Sequence, residues 1–148
     1  MNNKPRILFL CTGNSCRSQM AEGLCRHFQG ENFRAYSAGI KKHGLNPNAV
    51  KAMKEIGIDI SNHTSNTTDE LEEKEFEFVI TVCGHAHESC PYFPAKTKII
   101  HQGFDDPPFL AKTAKTAEEA LGHYRRVRDE IKEFIISLPD FLSAEIEQ

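Results

Sequence analysis

The chain has 148 residues, 39% hydrophobic and 26% charged, which describes one globular domain over 1–148 and excludes a disordered chain. Lys and Arg number 18 against 21 Asp and Glu, a formal net charge of −3; that excludes nucleic acid as the main partner, because such binding needs a broad basic face. The most apolar stretch, Phe78 to Cys83, falls far short of the roughly 20 residues that span a membrane, and Ile7 to Cys11 is too short for a secretory signal, so a cytoplasmic location is expected.

In chain order, Arg6 to Leu10 is an apolar run ending at Cys11 and reads as a buried strand. A polar loop follows. From Ser18, Met20, Leu24 and Phe28 recur on one helical face, and Gly30 stops the helix. Phe33 to Ser37 reads as a second strand, punctuated by Gly39. Pro47 suits the first position of a helix reaching about Ile56, with Gly57 at its end. Thr68 to Lys74 reads as a short acidic helix capped by Thr68. Phe76 to Cys83 and Lys98 to His101 are the remaining strands. A long helix runs from about Thr116 to Leu138, with Leu121, Tyr124, Val127, Ile131, Phe134 and Leu138 at three- and four-residue steps, and Pro139 ends it. The acidic tail, Glu145 and Glu147, is expected to fray. Strands alternating with helices predict an α/β fold: a three-layer sandwich with a four-stranded parallel sheet and helices on both faces. Ligands of such sheets bind at the carboxyl ends of strands, where Cys11, Cys83 and the loop after His101 all fall.

There are five cysteines, Cys11, Cys16, Cys25, Cys83 and Cys90, an odd number in a chain large enough to fold without disulfides. Cys11-Thr12-Gly13-Asn14-Ser15-Cys16-Arg17-Ser18 joins a strand to a helix. A helix N-terminus with free backbone N–H groups is an anion site. Gly13 and Asn14 tolerate the left-handed backbone that turns N–H groups inward. Arg17 can grip a tetrahedral oxyanion with two N–H groups. The same positive field is expected to lower the pKa of Cys11, and Ser18 is placed to donate a hydroxyl hydrogen bond to its sulfur. Cys16 is expected to be exposed and oxidisable, and Cys25 to lie in the core.

This loop, continued by Gln19-Met20-Ala21-Glu22-Gly23, resembles the anion loop of the low-molecular-weight tyrosine phosphatase fold, and more closely that of the thioredoxin-coupled arsenate reductases built on it. The resemblance extends through Tyr36-Ser37-Ala38-Gly39, Asn46-Pro47, Asp59 to Ser65, Gly103-Phe104-Asp105-Asp106-Pro107 and Arg126-Val127-Arg128-Asp129, and so covers nearly the whole chain. It implies the following roles. Residues 12–18 bind arsenate, the Cys11 thiolate attacks it, and Asp106, the acid directly before proline, protonates the departing oxygen. Asp105 is a supporting or capping residue. Cys83 attacks the Cys11 sulfur and releases arsenite, Cys90 attacks Cys83, and thioredoxin reduces the Cys83–Cys90 disulfide.

A helical segment 83–90 would hold its ends roughly 10 Å apart, while a disulfide allows about 7 Å at most between Cα atoms. The segment must therefore be a loop or unwind during turnover; the second is expected, a switch that rearranges, eased by Gly84, and exposes the new disulfide to its reductant.

Two other readings stand beside this one. Cys83, His85, His87 and Cys90 are residue types that bind zinc. Alternatively, Cys83 and Cys90 are core residues and the protein is a tyrosine phosphatase, although Pro108 and Phe109 only weakly match the aromatic residues that follow Asp-Pro there. The resemblance also implies a potassium site at Asn14, Glu22, Ser37 and Asn66, where Asn66 replaces an aspartate and weakens the site. His63 reads as a hydrogen-bonding or structural histidine. The connection over 109–117, which includes Lys112 to Ala117, reads as a mobile lid or plain surface. A monomer is the simplest expectation.

Overall fold

The apolar run at Ile7 becomes the central strand. The computed structural model describes residues 4–73, 75–88, 90, 93–94 and 96–147. β1 (Arg6–Cys11) lies between β2 (Arg34–Gly39) and β3 (Phe78–Thr81), and β4 (Lys98–His101) pairs with β3 at the edge. The order is β2-β1-β3-β4 and every pair is parallel, with Phe9 in register with Ser37 on one side and Ile80 on the other.

Ile7 to Cys11 are all buried although successive side chains point to opposite faces, so both faces of β1 are covered. α1 (Arg17–Gln29) packs on β1 and β2 and against α5 (Ala117–Ile136). α2 (Pro47–Glu55) packs on α1 and α5, α3 (Gly84–Glu88) on β1 and β3, and α4 (Pro107–Ala111) and α6 (Leu138–Glu147) on α5. Leu8, Phe9 and Leu10 of β1, Met20 and Leu24 of α1, Met53 of α2 and Ile131 and Ile135 of α5 are fully buried and form the centre of the core. This is the four-stranded parallel α/β sandwich that the alternation of strand and helix predicts. Among the described residues no helix is long and apolar enough to cross a membrane.

Local chemistry sets the helix ends. The Asn46 side chain accepts from the N–H groups of Asn48 and Ala49 at 2.8 and 3.2 Å, and Pro47 opens α2 with the φ a helix needs. Gly57 follows that helix with φ +80° and donates its N–H to the Lys54 carbonyl at 2.9 Å, the left-handed stop that glycine favours. Thr116 caps α5 by accepting from Glu119 N–H at 3.0 Å. Each such cap contributes about 1 kcal/mol.

Several expectations are corrected. Phe28 is 39% exposed rather than on the buried face of α1; the Lys132 ammonium sits 5.4 Å from its ring centroid. Gly30 ends α1 as expected, though with a right-handed φ of −62°. The acidic helix contracts to a single 3-10 turn, Thr68–Glu70, capped by Thr67 with Glu70 reaching back; Lys74 lies outside the described residues. The third strand is shorter than Phe76 to Cys83. Pro139 does not end the helical structure. α5 stops at Ile136, and the chain restarts as α6 with Pro139 in its first turn, where the missing N–H costs nothing. The tail expected to fray is thus helical backbone to Glu147, anchored by buried Leu138 and Leu142. The connection after Asp106 begins with α4, leaving a short turn before Thr116.

Candidate active site

β1 delivers Cys11 to the carboxyl end of the sheet, and the next five residues wrap a cavity before α1 starts at Arg17. The loop's carbonyls are all engaged from outside. Cys11 O accepts from Ile40 N, Thr12 O from Lys41 N, Gly13 O from His43 N and Ser65 Oγ, Asn14 O from Gln19 Nε2, and Ser15 O from Asn46 N, at 2.9 to 3.1 Å. In a trans peptide the N–H points opposite to the C=O, so bonding the carbonyls outward turns the amides toward the cavity.

Asn14 is the hinge of this wrap. Its φ of +49° is one that asparagine tolerates. Its buried side chain donates to Ser18 Oγ at 2.9 Å and Ser37 Oγ at 3.0 Å and accepts from Asn66 N–H at 2.8 Å. Gly39 is required for a reason its sequence context did not reveal: a Cβ there would lie 2.3 Å from Lys41 O and 2.7 Å from Asn14 N. His63 bonds Gln19 Oε1 at 3.0 Å, and burial pushes its imidazole pKa down, so it supports the loop from behind rather than reaching the cavity.

The cavity is about 300 Å³ and is lined by Cys11, Thr12, Gly13, Ser15, Cys16, Arg17, His43, Asn46, Asp106 and Pro108. Arg17 is largely buried. Its Nη1 donates to Phe104 O at 2.9 Å and its Nη2 lies 3.6 Å from Asp106 Oδ1, while its Nε is buried with no hydrogen-bond partner among the described residues. A buried orphan donor is costly unless a ligand satisfies it, and a tetrahedral oxyanion presents the oxygen this one needs. Asp106 sits across the cavity, partly exposed, at the N-terminus of α4 without capping it. Asp105 turns away and pairs with Arg126 at 3.0 Å.

The structure brings two of the three predicted thiols together. Cys11 and Cys83 lie close enough that each shifts the pKa of the other, and both are buried. Thr12 Oγ1 is 3.1 Å from Cys83 Sγ, and Ala86 N–H donates to the same sulfur at 3.4 Å. The hydrogen bond from Cys11, then those from Thr12 and Ala86 and the charge of Arg17, pull the Cys83 thiol down to about 5 against its burial. Cys11 is pushed up by its hydrogen bond to Cys83 and by burial, against the pull of Arg17. This runs against the expectation of a lowered Cys11: of the two coupled thiols, Cys83 is the one drawn toward the thiolate. Cys90 is half-buried beyond α3, and burial pushes its thiol up. The segment between is helical over Gly84–Glu88.

Other expectations shift. Ser18 Oγ accepts from Asn14, which gives it a partner other than the expected sulfur. Cys16 is 5% exposed rather than open to oxidants, and burial pushes its thiol up to about 12. Cys25 lies in the core as expected, also pushed up to about 12 by burial.

Glu22, Ser37, Asn14 and Asn66 do gather behind the loop, but their donors and acceptors satisfy one another. Ser37 Oγ donates to Glu22 Oε1, Arg26 pairs with Glu22 Oε2 at 2.7 Å, and the Asn66 amide donates to Thr64. The Arg26 guanidinium already balances the one carboxylate, so this set does not fit potassium. No cluster of three or more His, Cys, Asp or Glu side chains that could hold a metal occurs among the described residues. The zinc reading rests on His85 and His87, whose side chains lie outside the described residues.

Sequence reasoning missed the Thr12–Cys83 contact, the grip of Phe104 O on Arg17, and Tyr124, whose hydroxyl accepts from Asn46 Nδ2 at 3.2 Å. Asn46 was legible as a helix start before Pro47, but the loop carbonyl it also binds was not.

The family model for low molecular weight phosphotyrosine protein phosphatase matches residues 6–148. The arsenate reductase of Halalkalibacterium halodurans is 57% identical over 87% of this chain and 91% of its own length, and the arsenate reductase of Bacillus subtilis 55% over 88% and 91%. Among solved structures, an arsenate reductase in the phosphate binding state superposes with a TM-score of 0.72 at 28% identity, covering 90% of this chain and 95% of that one. A low molecular weight protein tyrosine phosphatase from T. tengcongensis gives 0.72 at 28%, covering 93% and 99%. On the span of that match and the anion loop at Cys11, the chain belongs to the low molecular weight phosphotyrosine protein phosphatase family.

Proposed function

We propose that the protein reduces arsenate to arsenite through Cys11, Cys83 and Cys90. The observation that carries this reading is the second thiol. Hydrolysis of a phosphate ester needs Cys11, Arg17 and an acid such as Asp106, and it has no use for a Cys83 thiolate held by Thr12 and Ala86 against the nucleophile. The high identity to proteins named arsenate reductase supports the same reading.

Arsenate occupies the cavity with its oxygens on the loop amides and the Arg17 fork. A proton passes from Cys11 to Cys83, leaving the thiolate on Cys11. Cys11 attacks arsenic, an S–As bond forms, and one oxygen leaves as water after taking a proton from Asp106. Cys83 attacks the Cys11 sulfur and passes its proton to an oxygen of the departing arsenite. The S–S bond forms as the S–As bond breaks, its electron pair stays on arsenic, and arsenic falls from As(V) to As(III). Cys90 then attacks Cys83 and frees Cys11 as thiolate. The Cys83–Cys90 disulfide needs the two Cα atoms within about 7 Å of each other, and the turn of helix at Gly84–Glu88 between them is the part that opens to allow it. Thioredoxin, or a dithiol of its class, supplies the two electrons that restore the pair. Such a relay belongs in a reducing compartment such as the cytoplasm.

Reduced protein mixed with arsenate and no added reductant is expected to form one equivalent of arsenite per chain and then stop. Formation of no arsenite, with steady hydrolysis of phosphate esters, would establish the phosphatase reading instead.

A further inference from the structure

We propose that Phe104 is a positioning residue for the oxyanion site and that the C-terminal helix α6 holds it in place through a ladder of three aromatic rings. Phe104 joins segments that the chemistry must keep in register. Its N–H donates to Val82 O at 3.1 Å, at the strand end just before Cys83. Its carbonyl accepts from Arg17 Nη1 at 2.9 Å, and it stands two residues before Asp106. One main-chain unit therefore touches the second thiol's strand, the anion-binding guanidinium and the acid loop.

What fixes this unit is its side chain. The Phe104 ring meets Phe134 of α5 edge-on, with centroids 5.9 Å apart. Phe134 in turn meets Phe141 of α6 edge-on at 5.0 Å. Leu138 and Leu142, both buried, seat α6 on either side of Phe141. The next residue of the loop, Asp105, is tied to α5 as well, through Arg126. An arginine on a flexible stem presents an anion with a formed fork only if something else holds its far side. Here that support is a carbonyl whose own position depends on rings packed from outside the site. α6 thus acts on the anion site without a residue in the cavity.

The oxyanion claim stands apart from arsenate reduction, because inorganic phosphate probes the same loop. The test measures the phosphate Kd of the reduced protein, the KM and kcat for arsenate, and the alkylation rate of Cys25, which is fully buried in α1 and reports general opening. Phe104→Ala is expected to raise the phosphate Kd and the arsenate KM about three- to tenfold, and Phe141→Ala about two- to threefold, the scale of one aromatic pair. Phe141→Leu, which refills the space, is expected to recover most of the loss, and Cys25 alkylation stays at the wild-type rate throughout. If Phe104→Ala fails to fold, the two Phe141 variants decide. An unchanged phosphate Kd in the folded variants overturns the proposal. So does a rise in Kd matched by faster Cys25 alkylation, which marks loosening of the whole core. A wild type that binds phosphate yet forms no arsenite defeats the reductase reading and leaves this proposal standing.

Discussion

Thr12 Oγ1 lies 3.1 Å from Cys83 Sγ, so the residue after the nucleophile also holds the second thiol. The loop that binds the anion and the strand end that carries the reductant are thereby one construction. A hydroxyl donating to a thiolate is a hydrogen bond to a charged acceptor, worth roughly 1.5–3 kcal/mol. Thr12→Val keeps the shape and removes the donor. It is expected to slow arsenite release about tenfold or more in a single turnover, while phosphate affinity changes little. Thr12→Ser restores the rate. Equal rates in Thr12→Val and wild type would show that the contact does not activate Cys83.

The opposite pKa shifts of Cys11 and Cys83 make a titration prediction. Cys83 is drawn down to about 5, while Cys16 and Cys25 are pushed up to about 12 and Cys11 and Cys90 are also raised. Ultraviolet absorbance is expected to report one thiolate per chain at neutral pH, lost with a midpoint near 5. In Cys11→Ser a hydroxyl replaces the thiol donor and the midpoint moves upward. The folded value of Cys83 lies below the unfolded one of about 8.5. Its contribution to stability is therefore complete above that unfolded value and fades as pH falls toward 5. The raised Cys11 works in the opposite sense, since holding its proton costs stability once pH exceeds its unfolded value. The absence of any thiolate below pH of about 8 would refute a lowered Cys83.

Asp106 faces Arg17 at 3.6 Å, is partly exposed, and makes no helix cap. Its free carboxyl is what a general acid requires, and such an acid contributes about 10²–10⁴ in rate. Asp106→Asn is expected to lower kcat by at least about a hundredfold. Phosphate affinity should hold, because the loop and Arg17 remain in place. A loss of affinity with kcat retained would make Asp106 a binding group instead.

The fold was legible because its signals were local. The apolar run ending at Cys11, the Asn46-Pro47 start and the three- and four-residue steps from Leu121 to Ile131 each report their own element. Errors arose where distant residues decide. Phe28 fits the apolar face of α1, but the position it occupies opens to solvent beside Lys132. Pro139 looks like a stop when read as the end of one helix and is in fact the first turn of the next. The same division holds in the site. Cys11, Arg17 and Cys83 carry their chemistry in their residue types and spacing. The direction of the Cys11 and Cys83 pKa shifts depends first on the pairing of those two distant thiols, which no window of sequence contains.

Helix α3 provides a dynamic prediction. Gly84–Glu88 is helical in the reduced protein, and the relay requires that turn to open. Hydrogen exchange over 84–88 is expected to be faster in the protein carrying the Cys83–Cys90 disulfide than in the reduced form, with protection of Ile7 to Leu10 in β1 unchanged. Identical exchange in both states would mean that the two sulfurs meet by some route other than unwinding.

The most direct measurement maps disulfides by mass spectrometry in reduced protein treated with arsenate and no other oxidant or reductant. The account predicts a Cys83–Cys90 bond in the wild type, a trapped Cys11–Cys83 bond in Cys90→Ser, and neither in Cys11→Ser. Arsenite formed without any bond to Cys83, or a Cys83–Cys90 bond that still forms in Cys11→Ser, would contradict it.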